Sequence, residues 1–118
     1  MILVIEDNEA MCNLLATILR KDGYDVLCMY DGAEAVKAFE LCKQHVKLVI
    51  SDLQLPTLDG VETFRSIKSI NPEIKAIFVS GYFDERSRRQ LQEEGVQHFI
   101  SKPYMPDDIL APVHEVLR

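Results

Sequence analysis

The chain alternates five short apolar runs with five stretches in which apolar residues recur every three or four positions. Ile2 to Ile5 is an unbroken β-branched and Leu run, the pattern of a strand covered on both faces. Between Ala10 and Arg20, Met11, Leu14, Leu15, Ile18 and Leu19 predict an amphipathic helix. It is expected to end at Asp22-Gly23, where Gly23 can take positive φ. Tyr24 to Met29 predicts a second, less buried strand. Asp31 is placed to cap a helix carrying Ala33, Val36, Ala38, Phe39 and Leu41, with Glu34 positioned for the reciprocal bond of a capping box.

Val46 to Ile50 predicts a third strand, and Leu48-Val49-Ile50 lacks polar alternation, which places it centrally in a parallel sheet. Leu58-Asp59-Gly60 can turn tightly before Val61, Phe64 and Ile67 mark a third helix, which Asn71-Pro72 ends. Ala76 to Val79 predicts a fourth strand stopping at Ser80-Gly81. From Asp84 to Glu94 the helical stretch is mostly polar, with Leu91 its chief apolar residue and Phe83 just before it, so this helix is expected to be held weakly and to move. Gly95 separates it from a fifth strand, Val96 to Ile100. The last helix runs from about Pro106 to Leu117. Pro106 suits a first turn, whereas Pro112 is expected to kink or break the helix, at a cost of about 3 kcal/mol against Ala. Five such repeats predict an open α/β sandwich with short loops.

A length of 118 residues gives room for one domain, 1–118, around one core. The apolar fraction of 47% and charged fraction of 27% are those of an ordinary globular chain and argue against disorder. A net charge of -6 argues against direct nucleic-acid binding, because the densest basic cluster is only Arg86, Arg88 and Arg89. No apolar run approaches membrane-spanning length, and Met1 to Ile5 ends at once in Glu6-Asp7, so it reads as neither signal peptide nor anchor. Cys12, Cys28 and Cys42 share no CxxC or Cys/His spacing. They read as free thiols, mostly buried or half-buried, in a reducing compartment, and the expected setting is the cytoplasm. A start inside an apolar run reads as a trimmed chain or as a domain cut from a longer polypeptide; if whole, a chain with no output segment would be a stand-alone messenger.

If the apolar runs are parallel strands, their C-terminal ends lie side by side, and Glu6, Asp7, Asp52, Ser80 and Lys102 meet at one edge. Carboxylates forced together raise one another's pKa and destabilise the fold unless a cation neutralises them. A hard divalent ion does so with oxygen ligands, here expected to be Asp7, Asp52 and the backbone carbonyl of Gln54, with Glu6 acting through water. Asp52, at the end of the central strand, is expected to be rigid, to face the crevice and to attack a phosphoryl donor, giving an aspartyl phosphate. Lys102 would pair with the remaining charge and the Ser80 hydroxyl would donate to a third phosphoryl oxygen. Gln54 and Tyr82 stand two residues beyond Asp52 and Ser80, where they would gate the hydrolytic water and set the lifetime of the phosphate. The Lys102-Pro103 bond is a candidate cis peptide, since the trans preference at X-Pro is only about 0.5 to 1 kcal/mol, and a cis bond would be one means of turning the lysine inward.

The order Glu6-Asp7, Asp52-Leu53-Gln54-Leu55-Pro56 with Asp59-Gly60, Ser80-Gly81 and Lys102-Pro103 resembles the receiver domain of two-component response regulators and hybrid histidine kinases, over essentially the whole chain. The resemblance implies a flavodoxin-like (βα)5 doubly wound parallel sheet of strand order 2-1-3-4-5. It implies phosphorylation at Asp52 with Mg²⁺, or Mn²⁺ in its place, an acidic pair at Glu6 and Asp7, the lysine at Lys102, and switch residues at Ser80 and Phe99. The implied donor is a histidine kinase or histidine phosphotransfer domain. An output domain or target would bind the face of the fourth helix, fifth strand and fifth helix, on a monomer or a weak phosphorylation-dependent dimer. Such a domain catalyses its own phosphorylation and dephosphorylation and is not a multiple-turnover enzyme. Three positions depart from the family: Leu55 where Met is frequent, Phe99 without a tyrosine hydroxyl, and Pro112. Two readings compete. A small Mg²⁺-dependent phosphatase would need a second acid where Gln54 stands and a cap that these loops are too short to build. A degenerate receiver used only for docking would not need the complete acidic and lysine set.

Overall fold

Each apolar run becomes a strand and each periodic stretch a helix in the computed structural model, which describes residues 1–118. In chain order these are β1 (Ile2–Ile5), α1 (Glu9–Lys21), β2 (Val26–Met29), α2 (Gly32–Cys42), β3 (Leu48–Asp52), α3 (Gly60–Ile70), β4 (Lys75–Ser80), α4 (Glu85–Glu93), β5 (His98–Ser101) and α5 (Pro106–Leu117). The strands pair in parallel in the order β2-β1-β3-β4-β5, which puts β3 in the middle and leaves the half-buried β2 at an edge. This is the doubly wound flavodoxin-like sheet, with helices covering both faces.

Alternation along the strands divides the core into two layers. Leu3, Ile5, Val49 and Phe78 face Phe39 of α2, Phe64 and Ile67 of α3 and Leu91 of α4. Ile2, Val4, Ile50, Ile77 and Val79 face Cys12, Leu15 and Leu19 of α1 and Ile109 and Val113 of α5. The layers are closed by side-chain caps: Asn8, Asp31, Asp59 and Asp84 each accept a backbone N–H from the first turn of the helix they precede. No helix is long and apolar enough to cross a membrane.

Several expectations shift. Strand β2 starts at Val26, two residues after Tyr24, and Val46 and Lys47 precede β3. Strand β3 runs past Ile50 to Asp52 and β4 past Val79 to Ser80. The buried stripe of α1 is Cys12, Leu15, Ala16 and Leu19, which leaves Leu14 52% exposed. In α2 the stripe is Gly32, Ala35 and Phe39, and Leu41 is exposed. Asp31 accepts from the Glu34 N–H at 2.7 Å, one half of the expected capping box. Pro112 does not break α5, which runs unbroken from Pro106 to Leu117. The fully buried Ile109 and Val113, one on each side of it, hold the helix to the sheet.

Candidate functional site at the strand ends

Strand termini position every polar group of the site. β1 stops at Ile5, so Glu6 and Asp7 leave over the C-terminal edge of the sheet; Asp52 and Ser80 end β3 and β4, and Lys102 is the first residue beyond β5. Register aligns Ile5 with Ser51, Asp52 with Val79 and Ser80 with Ser101, which brings these ends level. Gly60 braces the end of β3 from behind. Its N–H donates to the Leu53 carbonyl at 2.7 Å, and a Cβ there would lie 2.6 Å from the Asp52 carbonyl oxygen. The tight Asp59-Gly60 turn therefore needs glycine for close approach to Asp52 itself.

Glu6 is 6% and Asp52 8% exposed, while Asp7 stands exposed at the mouth. Carboxylate oxygens of the three lie within 4.8 Å of one another. Lys102 Nζ donates to Glu6 Oε1 and to Asp52 Oδ2, each at 2.7 Å. The Asn8 N–H donates to Glu6 Oε2 and the Gln54 N–H to Asp52 Oδ1, both at 3.2 Å. Every oxygen of the two buried carboxylates is thus engaged. The Lys102–Pro103 bond is cis.

Burial pushes the Glu6 carboxyl above its ordinary range, outweighing the hydrogen bonds from Lys102 and Asn8, and the neighbouring Asp52 and Asp7 act in the same direction. For Lys102 burial acts downward, but hydrogen bonds to Asp52 and Glu6 and the charges of both outweigh it, so the ammonium is held more firmly than in water. One ammonium among three carboxylates leaves the cluster net negative. An all-oxygen donor set of that charge fits a hard divalent cation and not a soft one.

The remaining predicted residues lie around this centre. Ser80 Oγ donates to the Tyr82 carbonyl at 2.8 Å and accepts from the Tyr82 N–H at 3.2 Å, so the hydroxyl is held by its own loop. Phe99 is half-buried, with the Phe83 ring edge-on at 5.4 Å and the Arg88 guanidinium 4.6 Å over its face. Tyr82 is 70% exposed and the Gln54 side chain is also exposed. Sequence reasoning missed two contributors. Asn8 carries a signal, as a capping residue directly after the acidic pair. Thr57 carries none: it sits at φ 68, and its hydroxyl accepts from the Ala33 N–H at 3.1 Å, fastening the loop after Asp52 to the start of α2. Nothing in Leu55-Pro56-Thr57-Leu58 asks a β-branched residue to adopt that conformation.

Residues 2–114 match the family model described as response regulator receiver domain. The chain is 35% identical over 95% of its length to the CAI-1 autoinducer sensor kinase/phosphatase CqsS of Vibrio cholerae, covering 16% of that protein. It superposes with TM-score 0.92 and 27% identity on a response regulator receiver domain protein from Clostridium thermocellum, over 98% of this chain and 92% of that one. A response regulator from Burkholderia pseudomallei, solved with a phosphorylated aspartic acid, calcium ion and citrate, matches at TM-score 0.83 and 26% identity, over 99% of this chain and 65% of that one. The curated relatives include sensor kinases and transcriptional regulators, and the chain spans half or less of their length. With its five-stranded parallel sheet and acid and lysine cluster at the strand ends, the chain belongs to the response regulator receiver domain family.

Proposed function

We propose that this receiver accepts a phosphoryl group on Asp52 from a phosphohistidine of a histidine kinase or phosphotransfer domain, and that the modification switches a partner-binding face. The observation that carries this reading is the Lys102 ammonium at 2.7 Å from both Glu6 and Asp52, inside a cluster whose three carboxylates lie within 4.8 Å. The phosphorylated aspartic acid in the Burkholderia pseudomallei relative supports it.

Asp7, Asp52 and the Gln54 carbonyl would hold Mg²⁺, or Mn²⁺ in its place, with Glu6 acting through water. Bound there, the ion neutralises the carboxylates and lowers the repulsion met by an incoming phosphoryl group. A carboxylate oxygen of Asp52 attacks phosphorus, the P–N bond of the donor breaks, and the freed imidazole takes a proton. Lys102 exchanges its bond to Asp52 for one to a phosphoryl oxygen. Ser80 gives up the Tyr82 carbonyl and donates to another. That shift draws on the Gly81-Tyr82-Phe83 loop, and Phe99 turns inward as Phe83 moves. The two-state change is read out on the α4-β5-α5 face, by an output domain or target. Gln54 and Tyr82, both exposed beside the crevice, set the access of hydrolytic water.

Incubation with a small phosphodonor and Mg²⁺, followed by mass spectrometry, tests the reading. One phosphoryl group per chain is expected, stable in acid and labile in base, and absent from Asp52→Asn. Rapid phosphate release from small metabolites would instead indicate a phosphatase, and no labelling with or without Mg²⁺ a docking module.

A further inference from the structure

Cys12 lies near the start of α1, and Cys28 lies in the edge strand β2, paired with Val4 of β1. Although 16 positions separate them, both side chains enter the layer covered by α1 and α5, and Cys28 Sγ stands 3.9 Å from the Cys12 carbonyl oxygen. The Cys28 thiol thus lies against the Cys12 main chain, and burial, with Cys28 beside it, holds the Cys12 thiol protonated. Cys12 is fully buried and Cys28 only half-buried, so a small reagent from solvent reaches Cys28 first. The third cysteine, Cys42 of α2, packs against the opposite layer and has no sulfur to meet. Neither sulfur takes part in the proposed phosphoryl chemistry.

We propose that Cys12 and Cys28 form an oxidisable dithiol that a hydroperoxide closes to an intramolecular disulfide, fastening the start of α1 to the edge of the sheet. The Cys28 sulfur, after losing its proton to water, attacks one oxygen of hydrogen peroxide. The O–O bond breaks, hydroxide leaves, and Cys28 becomes a sulfenic acid. The Cys12 sulfur then attacks the Cys28 sulfur; the S–O bond breaks, water leaves with the Cys12 proton, and the S–S bond forms. Two thiols are oxidised by two electrons while peroxide is reduced to two waters. Assigning Cys28 the first step and Cys12 the second follows from their exposure, because the buried thiol needs only to reach its neighbour. The bond would lie two hydrogen bonds from the acidic cluster: the Cys12 N–H donates to the Asn8 carbonyl at 2.9 Å, and the Asn8 N–H to Glu6 at 3.2 Å.

The test treats the full chain with hydrogen peroxide, unfolds it in denaturant, alkylates the remaining thiols, and maps non-reduced peptides by mass spectrometry. The expected product has lost two hydrogen masses, takes up one alkyl group, at Cys42, yields a cross-linked peptide pair joining Cys12 to Cys28, and reverts with dithiothreitol. Cys42→Ser should still form the bond. Closing the loop should also raise the Tm of the oxidised chain above that of the reduced chain. Alkylation of all three cysteines after peroxide overturns the proposal. So does Cys28 oxidised to sulfinic acid beside an alkylatable Cys12, or cross-linking confined to dimers through Cys42. Because the decisive map is made on the unsubstituted chain, it does not depend on a variant that folds.

Discussion

Lys102 and Glu6 concentrate the electrostatics of the site. Lys102 is the ammonium shared by both buried carboxylates, so Lys102→Ala leaves them without a cation and removes a charge partner for the phosphoryl oxygens. Labelling by a small phosphodonor should slow by about 10²-fold, the scale of losing one preorganised donor at a charge-developing centre. Time-resolved mass spectrometry measures it, and a rate equal to that of the unsubstituted chain would contradict the role. Glu6 gives a pH signature. Its folded pKa is raised above the ordinary value of 4.5, chiefly by burial. The folded state therefore binds this proton more tightly, and its contribution is complete below pH 4.5 and lost as pH rises through the folded value. In metal-free buffer Glu6→Gln, neutral throughout, should gain in Tm relative to the unsubstituted chain as pH climbs through that window. A difference independent of pH would show that burial does not govern Glu6.

At the scale of elements, the strands and helices were legible because their signals are local and periodic. All ten appear, and displacements are confined to their ends, as with β2 beginning at Val26 and β3 ending on Asp52. Less legible was which stripe of a helix is buried. In α1, Leu14 and Cys12 both fit a helical period, and only docking against Val4 and Ile50 chooses the Cys12, Leu15 and Leu19 side. That Leu91 would be the chief buried residue of α4 was readable from composition, and it is the helix's single buried residue. The break considered at Pro112 does not occur, because propensity prices the missing N–H and the ring clash but not the packing around them. Anchoring at Ile109 and Val113 overrides the penalty without abolishing it. Pro112→Ala should therefore stabilise the chain, by up to about 3 kcal/mol. Chemical denaturation measures the gain, and an unchanged or lowered midpoint would mean that α5 has been bent to suit the ring.

For the whole molecule, the acidic cluster brings like charges together, which a bound cation would turn into stability. Mg²⁺ should raise the Tm of the chain in proportion to the logarithm of its concentration once above its dissociation constant, by an amount equivalent to about 2.7 kcal/mol at a hundred times that constant. Asp7→Asn should remove most of the rise, as should chelation with EDTA. Calorimetric scans across a Mg²⁺ series would show it, and a flat series would remove the metal from the proposed chemistry.

The amino-acid sequence by itself determined the ten elements, the strand ends at which charge collects, and the family whose receiver pattern these residues carry. Those features depend on residue type and short-range period, which a chain states directly. Only the tertiary structure decided that Lys102 reaches Glu6 and Asp52 at once, that Gly60 is needed for its closeness to the Asp52 carbonyl, that Thr57 takes a left-handed turn, and that the Cys28 thiol lies against the Cys12 main chain. Each of these is a distance between segments remote in the chain. Such distances are set by strand order, register and the rotation at which each helix packs, which no local pattern specifies.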